Sequence, residues 1–155
     1  MLEVLVSIVI LSLGVLGVVG LQAASLQANR EARSQAAGVR LGRELAELMR
    51  GNKGIAIQGT QATNPYLLPL TSLPTGTTIT DGPENCYSSN CSSALNVAKF
   101  QIAEWQKRVM AELPGARVKI CFDATPYEAT GAYAGRPRWD CTDTGGVAVL
   151  KLGWI

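Results

Sequence analysis

Four acidic residues lie in a turn-rich segment of the second half of the chain: Asp123, Glu128, Asp140 and Asp143. Clustered carboxylates are the ligands that calcium prefers in proteins. Their spacing matches no standard calcium loop, however, and aspartate is common in turns because its side chain bonds to nearby backbone groups. We therefore expect no metal site, with calcium binding as the open alternative.

Enzymatic chemistry has little support in this sequence. Histidine is absent, which removes the commonest general base near neutral pH and the commonest metal ligand. A G-x-x-G-x-x-G spacing at Gly14, Gly17 and Gly20 resembles a phosphate loop, but it lies in an apolar segment without a nearby lysine. We expect no catalytic residues and no cofactor.

The four cysteines fall into two spaced pairs, Cys86 with Cys91 and Cys121 with Cys141. An even cysteine count in a small exported domain indicates a disulfide framework. The first pair would staple a tight turn. The second would close a longer loop and contribute about 3 kcal/mol to stability.

Length and charge narrow the class of protein further. The 155 residues suffice for one domain with one core. Charged residues make up 17% of the chain, below the roughly 25% that is usual in soluble domains. The net charge is +2 and basic residues alternate with acids, so no basic stripe favours a nucleic acid as partner.

The shortage of charge is concentrated at the N-terminus, where no charged residue occurs between Glu3 and Arg30. Residues 4–24 reach the roughly 20 apolar residues that a membrane-spanning helix needs. A cleaved signal peptide would carry a positive charge before the apolar run, whereas this chain has Glu3. A plain membrane anchor and a helix that later packs against other apolar helices are the other two interpretations.

Good helix formers continue without proline from Gln22 to Arg50, and Gly51 with Asn52 supplies a stop. Apolar residues recur there at helical spacing: Ala37, Leu41, Leu45 and Leu48. The polar face offers two i,i+4 ion pairs: Arg40 with Glu44, and Arg43 with Glu47. We expect this half of the helix to bury one stripe against a compact head.

The rest of the chain predicts a small α+β head. Residues 54–90 are rich in proline and glycine, which favours a surface loop with one short strand near residues 77–80. Ser92 or Ser93 would cap a second helix that ends at Pro114-Gly115. Its apolar positions follow helical spacing: Leu95, Ala98, Ile102, Trp105, Val109 and Leu113.

Two strands complete the predicted head. The first covers residues 117–122, with Val118 and Ile120 on the core face. The second covers residues 147–154, with Val147, Val149 and Leu152 near the core. The predicted domains are residues 1–52, the long helix, and residues 53–155, the head.

The opening MLEVLVSIVILSLGVLGVVGLQ resembles the mature N-terminus of type IV pilins and type II secretion pseudopilins. The resemblance implies the type IV pilin fold, in which a long helix with a transmembrane first half packs on a small antiparallel sheet. Scattered later residues are similar to the PilV type of minor pilin: residues 47–52, Trp105, residues 112–116, Cys121, Trp139, Cys141 and residues 153–154.

This resemblance also implies how the chain would be processed and assembled. A basic leader ending in glycine and two further residues are expected before Met1, with cleavage by a prepilin peptidase and methylation of the new N-terminus. Glu3 matches the family glutamate that pairs with the N-terminal amine of a neighbouring subunit. The three glycines would allow either close helix approach or local loosening of the helix.

The implied partners are other minor pilins, the major pilin, the prepilin peptidase, the pilus assembly machinery and inner-membrane lipid. The implied location is the bacterial inner membrane with the head in the periplasm, and later the pilus at the cell surface. A type II secretion pseudopilin is one alternative. A membrane-anchored periplasmic binding module that never polymerises is the other.

Overall fold

The computed structural model describes residues 2–155, which form two compact units, residues 2–36 and Ala37–Ile155. The architecture is α+β, with a long apolar N-terminal helix, a small antiparallel sheet and two disulfides, as the sequence predicts. The elements in chain order are α1 (Leu2–Gly51), α2 (Lys53–Ala56), β1 (Leu68–Leu73), α3 (Ala94–Glu112), β2 (Ala116–Phe122) and β3 (Ala148–Gly153).

The first unit consists of the N-terminal part of α1. The two serines of its most apolar stretch, Ser7 and Ser12, fit an apolar helix because each hydroxyl bonds back to the preceding turn. Ser7 Oγ donates to the carbonyl of Glu3 at 2.8 Å, and Ser12 Oγ donates to the carbonyl of Val9 at 2.8 Å. Both hydroxyls are therefore satisfied within the helix, which allows them to face an apolar environment without cost from an unpaired donor.

The core of the second unit lies between α1, α3 and the sheet. Leu41 and Leu45 of α1 are buried against it, as the helical spacing predicts. Trp105 of α3 is fully buried, and its Nε1 donates to the carbonyl of Leu41 at 2.9 Å. The indole thus fills the core while its only polar atom is satisfied.

Helix α3 begins and ends where the sequence predicts. The Oγ of Ser93 accepts a hydrogen bond from the backbone N–H of Asn96 at 3.2 Å, which caps the helix. After Leu113 the chain turns at Gly115, where φ is +61°. A residue with a side chain is strained in that conformation, so the glycine permits the immediate return into β2.

The ion pairs of α1 differ from the predicted ones. Arg40 pairs with Glu112, and Glu44 pairs with Arg108, so both pairs join α1 to α3. Glu47 pairs with Arg50 instead of Arg43. Spacing along one helix predicts only its internal pairs, whereas here α3 lies alongside and supplies opposite charges.

The three strands form an antiparallel sheet in the order β1-β2-β3. Val118 and Ile120 are buried, as predicted, and β3 places Leu152 and Leu150 opposite them. The predicted strand at residues 147–154 is confirmed as β3, with Leu152 packed on the core, but the predicted core positions of Val147 and Val149 are wrong. Val149 lies opposite Cys121 on the other face and Val147 is 67% exposed, because strand alternation gives Leu150 and Leu152 the core face.

Strand β1 was not predicted. It covers residues 68–73 within the segment that was expected to be a loop, and the strand expected near residues 77–80 is absent from the described chain. Pro69 argued against a strand, but β1 lies at the sheet edge, where proline is tolerated. The four-residue helix α2 also went unpredicted.

Two glycines of α1, Gly38 and Gly42, lie against side chains of β3 and of the residue that follows it, Trp154. A Cβ at Gly38 would be 3.2 Å from the ring of Trp154, and one at Gly42 would be 3.5 Å from Leu150. We expect Gly38→Val to lower the stability of the head by about 1–3 kcal/mol, because the added atoms overpack this contact. Thermal melting of the full chain in detergent measures the loss.

Gly42→Ala is the matched control for that substitution. Its Cβ would make only an ordinary contact, and alanine favours helix by up to about 1 kcal/mol over glycine. We expect no loss of stability from Gly42→Ala. Equal melting temperatures for Gly38→Val and the unsubstituted chain would contradict the close packing of Trp154 on α1.

Candidate functional site

The first unit exposes its large apolar side chains on all sides. Among residues 2–155, α1 is the one helix long and apolar enough to cross a membrane, and none of its most apolar 18-residue window is buried. Leu11 and Leu16 are each 68% exposed, and Leu21 is 75% exposed. A helix that is apolar all round requires lipid or other apolar helices around it.

Glu3 lies in the first turn of α1, at the start of this apolar surface. It borders a shallow groove with Val4, Ser7, Ile8 and Leu11. The positive end of the helix dipole favours a carboxylate at this position. Glu3 forms no ion pair with any of the residues that the structure describes, so its predicted role in pairing with a neighbouring subunit stays a prediction.

Gly14, Gly17 and Gly20 leave open space beside the helix. A Cβ added at any of them would meet no atom within 4 Å outside its own helical turn. Within the first unit, these positions therefore leave room for the close approach of another helix. Both predicted roles, close helix approach and local loosening, stay predictions.

The two disulfides of the head join the cysteines in the pairs expected from their spacing. Cys86 and Cys91 have Cα atoms 5.2 Å apart and close a turn shortly before α3. Cys121 and Cys141 have Cα atoms 6.4 Å apart, are separated by 20 positions in sequence, and close the loop between β2 and β3. The second bridge ties the long loop to the sheet. Because it closes a longer loop than the first bridge, it also restricts the unfolded chain more strongly.

Asp123 forms a buried ion pair with Lys151 beside the second disulfide. Lys151 Nζ donates to Asp123 Oδ2 at 2.5 Å and to the carbonyl of Asp140 at 2.5 Å. Asp123 Oδ1 accepts from the backbone N–H groups of Thr125 at 3.0 Å and Thr142 at 3.4 Å. These bonds, led by the one from Lys151, lower the pKa of Asp123 to about 2.

The four acidic residues of this region therefore have different surroundings. Asp123 is 3% exposed and Glu128 is half-buried, whereas Asp140 and Asp143 lie at the surface. Within residues 2–155, the grouping of metal-binding side chains that comes together is Cys121, Asp123 and Cys141. Both sulfurs are joined in the disulfide and Asp123 is held by Lys151, so this grouping is a structural anchor of the loop.

Comparison with known proteins gives no relative. No family model, curated protein or solved structure matches this chain. Its function is therefore inferred from two features of the molecule, the exposed apolar helix that begins at Glu3 and the disulfide-bonded head.

Sequence patterns did not reveal the ion pair between Lys151 and Asp123. A lysine inside the apolar run of β3 was a usable signal, because a charged residue in a half-buried strand needs a partner. Its partner could not be identified, since Asp123 lies 28 residues away and reaches Lys151 only through the register of β2 with β3.

This ion pair predicts a specific acid sensitivity of the head. The folded-state pKa of Asp123 lies below its ordinary value of 3.8, so its stabilisation is complete above the unfolded pKa and is lost as the pH falls towards about 2. We expect the melting temperature to fall more steeply between about pH 5 and pH 2 in the unsubstituted chain than in Asp123→Asn.

Glu128→Gln is the matched control, because Glu128 belongs to the same loop and forms no ion pair in the described chain. It should keep the acid profile of the unsubstituted protein. Parallel profiles for the unsubstituted chain and Asp123→Asn would show that the ion pair does not govern acid stability.

Proposed function

We propose that this protein is a minor pilin, a structural subunit that assembles into a type IV pilus and helps to initiate or modify it. The observation that carries the proposal is the fully exposed apolar surface of α1, which begins at Glu3 and continues for more than 20 residues. Such a surface is stable in lipid before assembly and among sister helices after it.

Transfer between these two environments needs little change in free energy. Hydrocarbon tails and leucine-rich helices are similarly apolar, so association of such helices depends on close packing and on polar contacts. The open sides of Gly14, Gly17 and Gly20 offer places where a neighbouring helix can approach closely. The two predicted roles of these glycines are therefore compatible with a helical fibre core.

Glu3 supplies the polar contact in this proposal. A carboxylate beside an apolar run is costly in lipid unless it finds a cation. The free N-terminal amine of a neighbouring subunit, produced by the prepilin peptidase, is such a cation. Their attraction would set the position of an incoming subunit along the fibre, because only one register joins the two charges.

The head has the properties expected of a domain exposed outside the cytoplasm. Its two disulfides are typical of oxidising compartments such as the bacterial periplasm. In this proposal the protein spans the inner membrane once, carries its head in the periplasm and then enters the pilus at the cell surface. It catalyses no reaction, binds no cofactor and has pilins and the assembly machinery as partners.

The proposal is tested by the mass of the N-terminus in strains with and without the prepilin peptidase. We expect a processed and methylated N-terminus in the first strain and an unprocessed one in the second. Identical N-termini in both strains would contradict assembly as a pilin and favour a membrane-anchored binding module. Recovery with secretion-system subunits instead of pili would favour the pseudopilin alternative.

A further inference from the structure

A groove runs beside the outer edge of strand β3. Four consecutive residues of the strand, 149–152, line a cavity of about 300 Å³ together with Tyr127, Arg138 and Trp139 of the preceding loop. Successive side chains of a strand point to opposite faces. A cavity that four consecutive residues line must therefore lie along the edge of the strand and not over one face of the sheet.

The backbone of β3 is open towards this groove. In the described chain, β3 pairs with β2 alone, and residues 148–154 make no backbone–backbone hydrogen bond outside the strand ladder. Alternate N–H and C=O groups of an edge strand point away from its one neighbour. These groups can pair with an added extended chain.

The opposite edge of the sheet is protected against such pairing, whereas β3 is not. Strand β1 contains Pro69 and an irregular register between Leu68 and Thr71, and both features hinder strand addition. Strand β3 has regular pairing and no proline. Its Lys151, a residue type that often guards an edge, is held inside the head by Asp123.

The groove also carries a positive charge without a carboxylate partner. Arg138 donates from Nε to the carbonyl of Thr125 at 2.8 Å and from Nη2 to Thr125 Oγ1 at 2.6 Å. It takes part in no ion pair among residues 2–155. A bound segment with an acidic side chain would complete this site.

A second copy of this chain matches the groove less well than an acidic partner does. The sequence of β3, AVLKLG, contains a lysine and no acidic residue. Pairing between two β3 strands would therefore supply no carboxylate for Arg138. The charges favour a different protein, whose extended segment carries the negative charge.

We propose that the β3 edge binds an extended, acidic segment of a partner protein by strand addition, with Arg138 contacting its carboxylate. Main-chain hydrogen bonds to β3 would provide affinity, and the contact with Arg138 would select the partner. This inference uses residues of the head alone and holds whether or not the chain enters a fibre.

The test uses acetylated hexapeptides of alternating threonine and valine, with one glutamate moved through the six positions. Each is titrated against the full chain in detergent, and amide hydrogen exchange is followed along β3. We expect at least one peptide to bind saturably and to slow exchange within residues 148–153. Methylation of its backbone nitrogens should abolish binding, because the main-chain donors are removed.

Substitutions of Arg138 test the charge contact. We expect Arg138→Glu to weaken binding at least roughly tenfold, since a hydrogen bond to a charged group is lost, and Arg138→Lys to retain most of it. Arg136→Glu is the matched control. Arg136 stacks on Tyr133 in the same loop, with 5.2 Å from guanidinium carbon to ring centre, and does not line the groove.

Thermal melting of each variant separates loss of binding from loss of folding. Three results would overturn the proposal. The first is no binding by any of the six peptides, and the second is that a folded Arg138→Glu variant binds as tightly as the unsubstituted chain. The third is undiminished binding after methylation of the peptide backbone. Dimerisation of the chain through β3 in the absence of peptide would overturn it as well, because a second copy would then be the occupant.

Discussion

Glu3→Ala is expected to leave the protein in the membrane while removing most of it from sheared pili. The apolar helix that follows position 3 is untouched by the substitution, and in the proposed function its exposed surface holds the chain in lipid. Incorporation should fall at least roughly tenfold, because the neighbouring amine would be left without its counter-charge in an apolar setting, which costs about 3–5 kcal/mol. Quantitative immunoblots of sheared pili and of membranes measure both fractions.

Glu31→Ala is the matched control for this loss. Glu31 also belongs to the first unit, but it lies beyond the apolar run and accepts a hydrogen bond from Gln35 Nε2 at 3.0 Å on the surface of α1. We expect Glu31→Ala to enter pili normally. Incorporation of Glu3→Ala at the level of Glu31→Ala would refute the role of the glutamate in assembly.

Trp105→Ala is expected to destabilise the head by about 3–5 kcal/mol, the range for removal of a large buried aromatic side chain. The indole is fully buried between α1, α3 and the sheet, and it donates to the carbonyl of Leu41. Near-ultraviolet circular dichroism of the full chain in detergent follows the unfolding of the head, because α1 contributes no aromatic residue to that signal.

Trp105→Phe keeps an aromatic ring but removes the hydrogen bond to Leu41. We expect it to lower the stability of the head less than Trp105→Ala does. Leu16→Ala removes an apolar side chain of the first unit and serves as the control, because Leu16 contributes nothing to the buried core. An unchanged unfolding transition in Trp105→Ala would contradict the central position of this residue.

The helices could be predicted from the sequence because their signals are local. Apolar residues at helical spacing identified Leu41 and Leu45 in α1 and Ile102, Trp105 and Val109 in α3, all of which are buried. The serine cap and the terminal glycine also act within a few residues of the helix ends. These elements follow from short-range geometry alone.

The sheet could be predicted only in part because its register depends on distant residues. Strand β2 showed a clear apolar alternation through Val118 and Ile120. In β3 the apolar residues occupy both faces, so the sequence analysis placed Val147 and Val149 near the core beside Leu152 and missed Leu150. Strand β1 was not predicted because it contains Pro69, which cannot donate a backbone hydrogen bond. The strand tolerates this proline because it lies at the edge of the sheet.

The candidate sites also differ in how far the sequence predicts them, according to whether their residues are close in sequence. Glu3 and the apolar run after it are adjacent in sequence, so their combination is visible without a structure. The ion pair of Asp123 with Lys151 joins residues of two elements through strand pairing. The groove beside β3 arises where the loop that carries Arg138 folds back along the strand, and no spacing in the sequence encodes that return.

The central claim is that the apolar half of α1 exchanges lipid for sister helices, and cross-linking at Leu16 tests it most directly. All four native cysteines are in disulfides, so Leu16→Cys provides a single reactive thiol on the exposed helix. With a matching cysteine in the major pilin, we predict cross-linked pairs in sheared pili and none in membranes that lack the prepilin peptidase. Pili without such pairs, or a secreted head that has lost residues 2–24, would contradict the claim.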